Sequence, residues 1–371
     1  MEFSDMQNSH GAVLTKDDAD SIRTIEFGPD GFPVVPSFEP LGAADEAVHF
    51  GSPHKEFLRA RSQAAVFDLS RRGHVEVVGA DRQKFMNGFC TADVLNLKPG
   101  EGCEAFVTNI KGKVVGHVFL FAGEQSLWLE TVRDSVQPLM EHLTRYVISE
   151  DVDFLPKSEE VGELLVSGPS VESILAEVIG TVPELSLYGH QDVTIGERWV
   201  SLRRVDWLDA PGYLLCLPRE GLGSLWTTLV DADIRPAGIA VFHALRILAG
   251  FPLYGIDISD DNLAQEVGRT KQTINFKKGC YLGQEPIARI DALGHVNREL
   301  RTLRFESTAV PIPGAKVSNA DGKEIGKVTS YAMLPDDHVP IALGYLHRGY
   351  LDSGTKVTVD CEGEAVSAAV C

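Results

Sequence analysis

Long apolar runs are missing from this sequence of 371 residues. No stretch approaches the roughly 18 consecutive apolar residues that a membrane-spanning helix needs. The first residues, Met1 to Asp5, show no basic region followed by an apolar one, which a secretion signal would require. We therefore expect a protein that does not enter a membrane, carries no export signal and lies in the cytoplasm.

Cysteine is scarce and scattered. Six cysteines stand at positions 90, 103, 216, 280, 361 and 371, with no CxxC pair and no zinc-type spacing. Such spacing suits a reducing compartment, so we expect free thiols, no disulfide and no stably bound metal. His117 and His295 have no second ligand at a metal-like spacing, which favours ordinary hydrogen-bonded histidines.

Basic residues are also few. Lysine and arginine number 34 against 53 acidic residues, which gives a formal net charge of −19. So acidic a chain repels phosphate backbones, and we expect no nucleic-acid partner. Six basic residues nevertheless fall between positions 277 and 304, where they form either a site for a small anion or a solvated charged face: Lys277, Lys278, Arg289, Arg298, Arg301 and Arg304.

The chain is long enough, and at 44% apolar residues hydrophobic enough, for two or three domains. Residues 1–45 lack sustained periodicity and predict a loosely ordered extension with one short strand, Ser21 to Phe27. Strands and helices then mix in an α+β layout, with a hairpin around residues 110–113, a helix from Asp134 to Ile148 and Asp81 as a helix cap. From Leu300 onward, short strands between turn signals predict a β-barrel of about six strands.

The octet from Lys278 to Glu285 packs one thiol, two glycines and a Gln-Glu pair into eight residues. Free cysteine is usually a small buried hydrophobe. The basic neighbours of Cys280 instead favour a thiolate that acts as nucleophile, ligand or redox partner. Gly279 and Gly283 indicate a backbone that needs positive φ or close approach, whereas Tyr281 is expected to pack rather than react.

This octet resembles the Lys-Gly-Cys-Tyr-x-Gly-Gln-Glu signature of the folate-binding YgfZ proteins, relatives of the glycine-cleavage T-protein (aminomethyltransferase). The resemblance extends over roughly residues 46 to 370 and includes Val66 to Ser70, Arg246 to Gly255 and Gly326 to Ser330. It implies a three-part T-protein fold, with two α/β lobes around a central channel for tetrahydrofolate (residues 46–298) and a C-terminal β-barrel (residues 299–371).

Two departures separate the chain from the transferase. Where the T-protein has an acidic pair after its Gly-rich hairpin, this chain has Gly116-His117, and neither residue supplies the carboxylate that positions and activates a folate nitrogen. Where the T-protein has Gly-Tyr-Glu, this chain has Gly212-Tyr213-Leu214, so the carboxylate that anchors the pterin is missing. Folate would then be held by other residues.

The resemblance assigns the functional thiol to Cys280 and implies a tetrahydrofolate-binding accessory factor for iron-sulfur protein assembly or repair. One cysteine cannot hold a cluster alone, so Cys280 would act transiently, with iron-sulfur proteins or their assembly machinery as partners. An unpaired working thiol favours a monomer with an exposed cleft. The folate-binding residues are predicted to be Lys278, Gly279, Tyr281, Gly283, Gln284, Glu285, Arg289, Arg298 and Tyr213.

Several alternatives stay open. Arg289 and Arg298 either bind folate carboxylates or pair with Asp291 or Glu299 and tie the barrel to the lobes. Gln284 and Glu285 shape a loop, in which Glu285 either accepts amide hydrogen bonds or is solvated.

Three functions stay open for the protein as a whole. It is the accessory factor, or a folate-dependent aminomethyltransferase-like transferase or demethylase, or a scaffold that binds only a protein partner. The enzyme would need a carboxylate near folate, for which the candidates are Asp93, Asp257 and Glu266.

Overall fold

The computed structural model describes residues 13–14, 26–27, 33–34, 47–334 and 338–371. Near the start of the chain, β1 (Val13–Leu14) pairs with β4 (Ala47–His49), and β2 (Glu26–Phe27) pairs with β3 (Pro33–Val34). The predicted strand from Ser21 coincides with β2 only in its last two residues, and its first five lie outside the described residues. The predicted loose order of residues 1–45 also falls mostly outside them.

The first lobe is built on a five-stranded antiparallel sheet in the order β10-β6-β9-β8-β7. Apolar side chains on its outer face pack against two helices in one core. The β7-β8 hairpin forms where residues 110–113 were predicted to turn. The elements are β6 (Arg72–Val78), α2 (Arg82–Asn87), β7 (Gly102–Thr108), β8 (Val114–Ala122), β9 (Leu127–Val132), α3 (Val136–Thr144) and β10 (Asp153–Pro156).

The second lobe has a six-stranded sheet in the order β12-β13-β14-β11-β5-β15. Its first strand, β5, precedes the whole first lobe in sequence, so the chain leaves this sheet and returns to it. The elements are α1 (Pro53–Ser62), β5 (Ala65–Asp68), β11 (Val161–Ser167), α4 (Val171–Ile179), β12 (His190–Ile195), β13 (Arg198–Val205), β14 (Gly212–Pro218), α5 (Leu222–Asp231), β15 (Arg235–Pro236) and α6 (Ile239–Leu248).

Residues 249–297 connect the lobes to the barrel with little regular structure apart from two helices, α7 (Thr270–Thr273) and α8 (Gln284–Leu293). The barrel itself is closed and six-stranded, in the order β16-β19-β18-β17-β20-β21, as the turn spacing predicts. Its strands are β16 (Arg298–Phe305), β17 (Lys316–Ser318), β18 (Glu324–Met333), β19 (Pro340–His347), β20 (Lys356–Cys361) and β21 (Glu364–Val370). Short 3-10 helices lie at Arg133–Ser135, Arg219–Gly221, Ala264–Val267 and Arg348–Tyr350.

Helix α6 joins the three parts. Its apolar residues share one core with aromatic side chains of both lobes and with Ile341, Leu343 and Tyr345 of barrel strand β19. Burying a large side chain such as Phe242 stabilises this junction by about 1.5 to 3 kcal/mol. The predicted arrangement of two α/β lobes and a C-terminal barrel is therefore confirmed. Among the described residues, no helix is long and apolar enough to cross a membrane.

One local prediction is wrong and another is confirmed only in part. The helix predicted from Asp134 to Ile148 spans only Val136–Thr144, because the Glu150 carboxylate accepts the amides of Ile148 and Ser149 and holds the chain in a turn. Asp81 is the N-cap residue of α2, as predicted, but its side chain makes no capping bond and instead accepts the Asp151 amide at 3.0 Å.

Candidate functional site

The loop from Asn275 to Gly283, which carries the cysteine motif, lies across the first lobe. The Leu282 amide donates to the Gly88 carbonyl at 2.9 Å, and the Leu282 carbonyl accepts the Thr108 hydroxyl at 2.6 Å. Gly283 has φ +86°, and a Cβ there would lie 2.4 Å from the Asn109 carbonyl oxygen. The prediction of close backbone approach is therefore confirmed at Gly283. A Cβ on Gly279 would meet no atom within 4 Å, so that position has no such requirement.

Helix α8 begins directly after Gly283. The expectation that Gln284 and Glu285 shape a loop is wrong, because they form the first turn of this helix. The Glu285 carboxylate is exposed beside the helix N-terminus, where a negative charge is favourable. Ile287 is fully buried and fixes the helix against the first lobe and the connecting segment.

Lys278 is a structural anchor. Its ammonium donates one hydrogen bond each to the carbonyls of Asn87, Cys90 and Ala92, at 2.7, 2.7 and 2.6 Å. It also lies 5.0 Å from the centre of the Tyr281 ring, which is buried as expected. Burial lowers the pKa of Lys278. The three protons of the ammonium are all engaged in the first lobe, so Lys278 positions the loop and does not serve Cys280 as a counter-ion.

We expect Lys278→Met to loosen this loop while Lys277→Met, at the exposed neighbour, leaves it intact. Losing three bonds to partly buried carbonyls should cost about 1 to 3 kcal/mol. Hydrogen exchange of the amides between Asn275 and Gly283 measures the effect, and faster exchange is expected only in the Lys278 variant. Equal exchange in both variants would show that the three bonds do not hold the loop.

Cys280 is exposed and free. All six cysteines are unpaired, and apart from Cys280 only Cys371 is exposed. Burial raises the pKa of Cys90 to about 12, which keeps that thiol protonated and unreactive. Among the described residues, no group of three or more His, Cys, Asp or Glu side chains could hold a metal ion. His295 is an ordinary exposed histidine bonded to the Leu293 carbonyl.

The remaining predicted site residues are dispersed. Arg298 pairs with Glu266 at 3.1 Å and lies over the Tyr345 ring, so its partner is neither Asp291 nor Glu299. Arg289 lies exposed on α8. Tyr213 points into the outer core of the second lobe, where its hydroxyl bonds Glu172 at 3.0 Å. The structure therefore does not bring Tyr213 or Arg289 to the centre of the molecule.

The centre holds a carboxylate that sequence reasoning missed. Glu104 on β7 is fully buried and accepts hydrogen bonds from the Arg269 guanidinium (Nη2 at 2.6 Å), from His117 Nε2 at 2.7 Å and from the Tyr188 hydroxyl at 2.6 Å. Arg269 Nε makes a further bond to it. The four bonds occupy the four lone-pair positions of the carboxylate. We call Glu104, Arg269, His117 and Tyr188 the Glu104 centre.

The electrostatics of the Glu104 centre follow from burial and from Arg269. Burial raises the pKa of Glu104, but the charge and hydrogen bonds of Arg269 and the bond from His117 outweigh it and lower the pKa to about 2. Burial lowers the pKa of His117 despite the neighbouring Glu104, so the imidazole is neutral and donates through Nε2. Burial also raises the pKa of Tyr188, which keeps its proton. The centre is an ionised carboxylate with no free acceptor site.

Aromatic side chains lie against the Glu104 centre. Trp207 stacks on Phe251 with ring centres 5.3 Å apart and packs on Phe119 at 4.9 Å. Arg269 lies over Phe251 at 5.0 Å, and Arg72 lies over Trp207 at 4.7 Å. The buried Trp207 Nε1 has no hydrogen-bond partner among the described residues. The centre thus combines closely packed, buried aromatic rings with one unused buried donor.

The three carboxylates considered for transfer chemistry all accept hydrogen bonds from other residues of the chain. Asp257 accepts bonds from Arg246 at 2.5 Å, from the Leu253 amide and from the hydroxyls of Thr329 and Ser330. Glu266 binds Arg298 and the Leu263 amide. The Asp93 carboxylate accepts a hydrogen bond from the side-chain amide of Asn96 at 2.8 Å. Asp257 and Glu266 are therefore structural, and Asp93 is the least constrained of the three.

A sequence signal for Glu104 existed but was weak. A single charged residue in the otherwise apolar strand from Cys103 to Val107 indicates a buried, paired carboxylate. Its partner Arg269 stands 165 residues later, a separation that no local pattern reveals.

Comparison with known proteins agrees with this architecture. The model of the GCVT N-terminal domain matches residues 5–278, and the model of the glycine cleavage T-protein C-terminal barrel domain matches residues 298–371. An aminomethyltransferase of Thermosipho melanesiensis is 26% identical over 326 residues, which cover 87% of this chain and 88% of that protein. A putative chloroplastic transferase of Arabidopsis thaliana is 26% identical over 82% of this chain and 69% of its own length.

A solved structure has the same fold. The glycine cleavage system aminomethyltransferase T from Bartonella henselae superposes with a TM-score of 0.78 at 21% identity, covering 99% of this chain and 94% of that one. The order of the two lobes and the barrel along the chain is therefore that of a known enzyme fold.

Proposed function

Because this chain belongs to the glycine cleavage T-protein family, we propose that it binds tetrahydrofolate between its two lobes without acting as an aminomethyltransferase. The observation that carries the proposal is the Glu104 centre with its aromatic neighbours. The unused Trp207 Nε1 can donate to an acceptor on a pterin ring.

The same residues do not fit the transfer reaction. Tetrahydrofolate carries one-carbon units on its ring nitrogens, and loading such a unit from an amine needs a proton acceptor near the reacting nitrogen. Glu104 is a poor base because its pKa is about 2, and its lone pairs are all occupied. Gly116 supplies no side chain, and His117 is held by Glu104. The centre is built to bind rather than to move a proton.

We further propose that the chain acts as a YgfZ-type accessory factor in iron-sulfur protein assembly or repair, with Cys280 as the working thiol. Two observations support this. Cys280 is exposed on a loop that three Lys278 hydrogen bonds hold in place, and its neighbour Lys277 is an exposed cation. The other cysteines, apart from the C-terminal Cys371, are wholly or partly buried. A single ligand of this kind suits brief contact with a cluster held by a partner protein.

A second candidate function is a folate-dependent, aminomethyltransferase-like one-carbon transferase. The names of the relatives favour it, since several that match over more than four fifths of this chain are called aminomethyltransferase. Asp93 is then the residue on which proton transfer would depend.

We expect Cys280→Ala, expressed in place of the wild type, to lower the activity of iron-sulfur enzymes in the cell while Asp93→Asn does not. The purified wild type should show no folate-dependent transfer from N-methylated or aminomethyl donors. A transfer activity that Asp93→Asn abolishes and Cys280→Ala leaves unchanged would establish the second candidate instead. Cys371→Ser, at the other exposed thiol, is the matched control.

A further inference from the structure

One segment of the chain is rich in basic residues although the chain carries a net charge of −19. Between Gly268 and Ile290 there are five basic residues and a single acidic one, Glu285. The hairpin turn between β7 and β8 adds another exposed lysine. We call the following exposed residues the cationic face: Lys111, Lys271, Lys277 and Arg289, with the apolar Ile110, Phe276 and Leu293.

The three segments that supply the cationic face are in contact with one another. A Cβ on Gly112 in the hairpin turn would lie 3.3 Å from Pro286 and Ile287 of α8. The Asn275 side chain accepts the amides of Lys277 and Lys278 and so shapes the start of the loop. The Asn275 amide in turn donates to the Thr91 carbonyl of the first lobe. The face is therefore preformed, which lowers the entropic cost of binding.

The apolar side chains of the cationic face are highly exposed to solvent for their size. Ile110 is 68% exposed, Leu293 is 62% exposed and Phe276 is 42% exposed. Exposed apolar patches that polar or charged residues surround are typical of protein interaction sites. The acidic residues on or beside the face are Glu285 and Asp291, while Asp261 is paired with Lys113. Cations outnumber free carboxylates here, in contrast to the rest of the chain.

We infer that the cationic face docks a partner protein through an acidic surface that contains apolar side chains. The inference rests on the proposed function, in which Cys280 is the working thiol. Exposed Cys280 lies in the same loop as Phe276 and Lys277, so a partner docked on the cationic face would lie beside this thiol. Charge complementarity selects the partner: the net charge of −19 opposes association with acidic proteins in general, whereas the excess of cations at this face attracts an acidic one.

The test uses a fluorescent peptide, about 20 residues long, of glutamate with interspersed phenylalanine, and the same peptide with lysine in place of glutamate. On net charge alone the acidic peptide should be repelled. We expect it to bind the wild-type chain in an anisotropy titration, with affinity that falls as salt rises. The triple variant Lys111→Glu, Lys277→Glu, Arg289→Glu should weaken binding about tenfold or more.

A matched variant controls for net charge. Lys55→Glu, Lys98→Glu and Lys323→Glu change the same number of exposed positive charges elsewhere, and binding should stay within about twofold of the wild type. Equal loss in both triple variants, or stronger binding of the lysine peptide, would overturn the inference. Light scattering would also overturn it if the wild type were a dimer and the first triple variant a monomer. The cationic face would then bind a second copy of this chain.

The outcome is separable from the proposed function. Tetrahydrofolate binding is measured in the same variants, and the cationic face lies outside the Glu104 centre. Lost peptide binding with normal folate binding is the expected result for the first triple variant. A wild type that binds folate but not the acidic peptide overturns the docking inference alone.

Discussion

Asp257→Ala is expected to destabilise the protein by about 3 to 5 kcal/mol, because it leaves the buried Arg246 guanidinium without its counter-charge. Both side chains are fully buried, and their ion pair measures 2.5 Å. Asp257 also accepts the hydroxyls of Thr329 and Ser330, each at 2.6 Å, from barrel strand β18. One carboxylate thus joins helix α6 to the barrel.

Urea denaturation gives the free energy of unfolding of this variant. Asp260→Ala, at an exposed neighbouring aspartate, is the control and should be close to neutral. Asp257 was also a candidate carboxylate for folate-dependent transfer. A catalytic role predicts lost activity with unchanged stability. An Asp257→Ala protein as stable as the wild type, but lacking a folate-dependent transfer that the wild type performs, would make Asp257 catalytic rather than structural.

Glu104→Gln is expected to reduce stability near neutral pH and to matter progressively less in acid. The pKa of Glu104 is about 2 in the folded chain against a usual value of 4.5. A lowered pKa contributes stability that is fully present above pH 4.5 and is lost as the pH falls toward 2. The shift corresponds to about 3 kcal/mol.

The measurement is the difference in free energy of unfolding between the wild type and Glu104→Gln, determined from about pH 7 down to about pH 3. The difference should shrink across the acid part of this range. Glu177→Gln, at an exposed glutamate of α4, should show no such trend. A difference between wild type and Glu104→Gln that stays constant with pH would mean that Arg269 does not hold Glu104 in its ionised form.

Local signals in the sequence were enough for much of the fold. Turn residues at regular spacing predicted the six-stranded barrel, and the residues around Gly112 predicted the β7-β8 hairpin. The need for glycine was predicted at Gly283, where the backbone meets the Asn109 carbonyl. Each of these features depends on residues close together in sequence, which is why the pattern alone suffices.

The centre of the molecule could not be predicted in the same way. Glu104 and Arg269 are brought together only by the packing of the lobe against the connecting segment. Arg298 lies beside Glu299 in sequence, yet extended strand geometry points neighbouring side chains to opposite faces, so its partner is Glu266. The same alternation separates Tyr213 from Leu214, which faces the centre.

The measurement that tests the central claim most directly is a titration of the purified, reduced protein with tetrahydrofolate without oxygen, followed by intrinsic fluorescence. Trp207 lies in the centre and should report binding. We predict saturable binding by the wild type and equally by Cys280→Ala, and clearly weaker binding by a Trp207→Leu variant, whose binding is followed by the shift in its thermal midpoint. No binding by wild type or Cys280→Ala would contradict a folate site between the lobes.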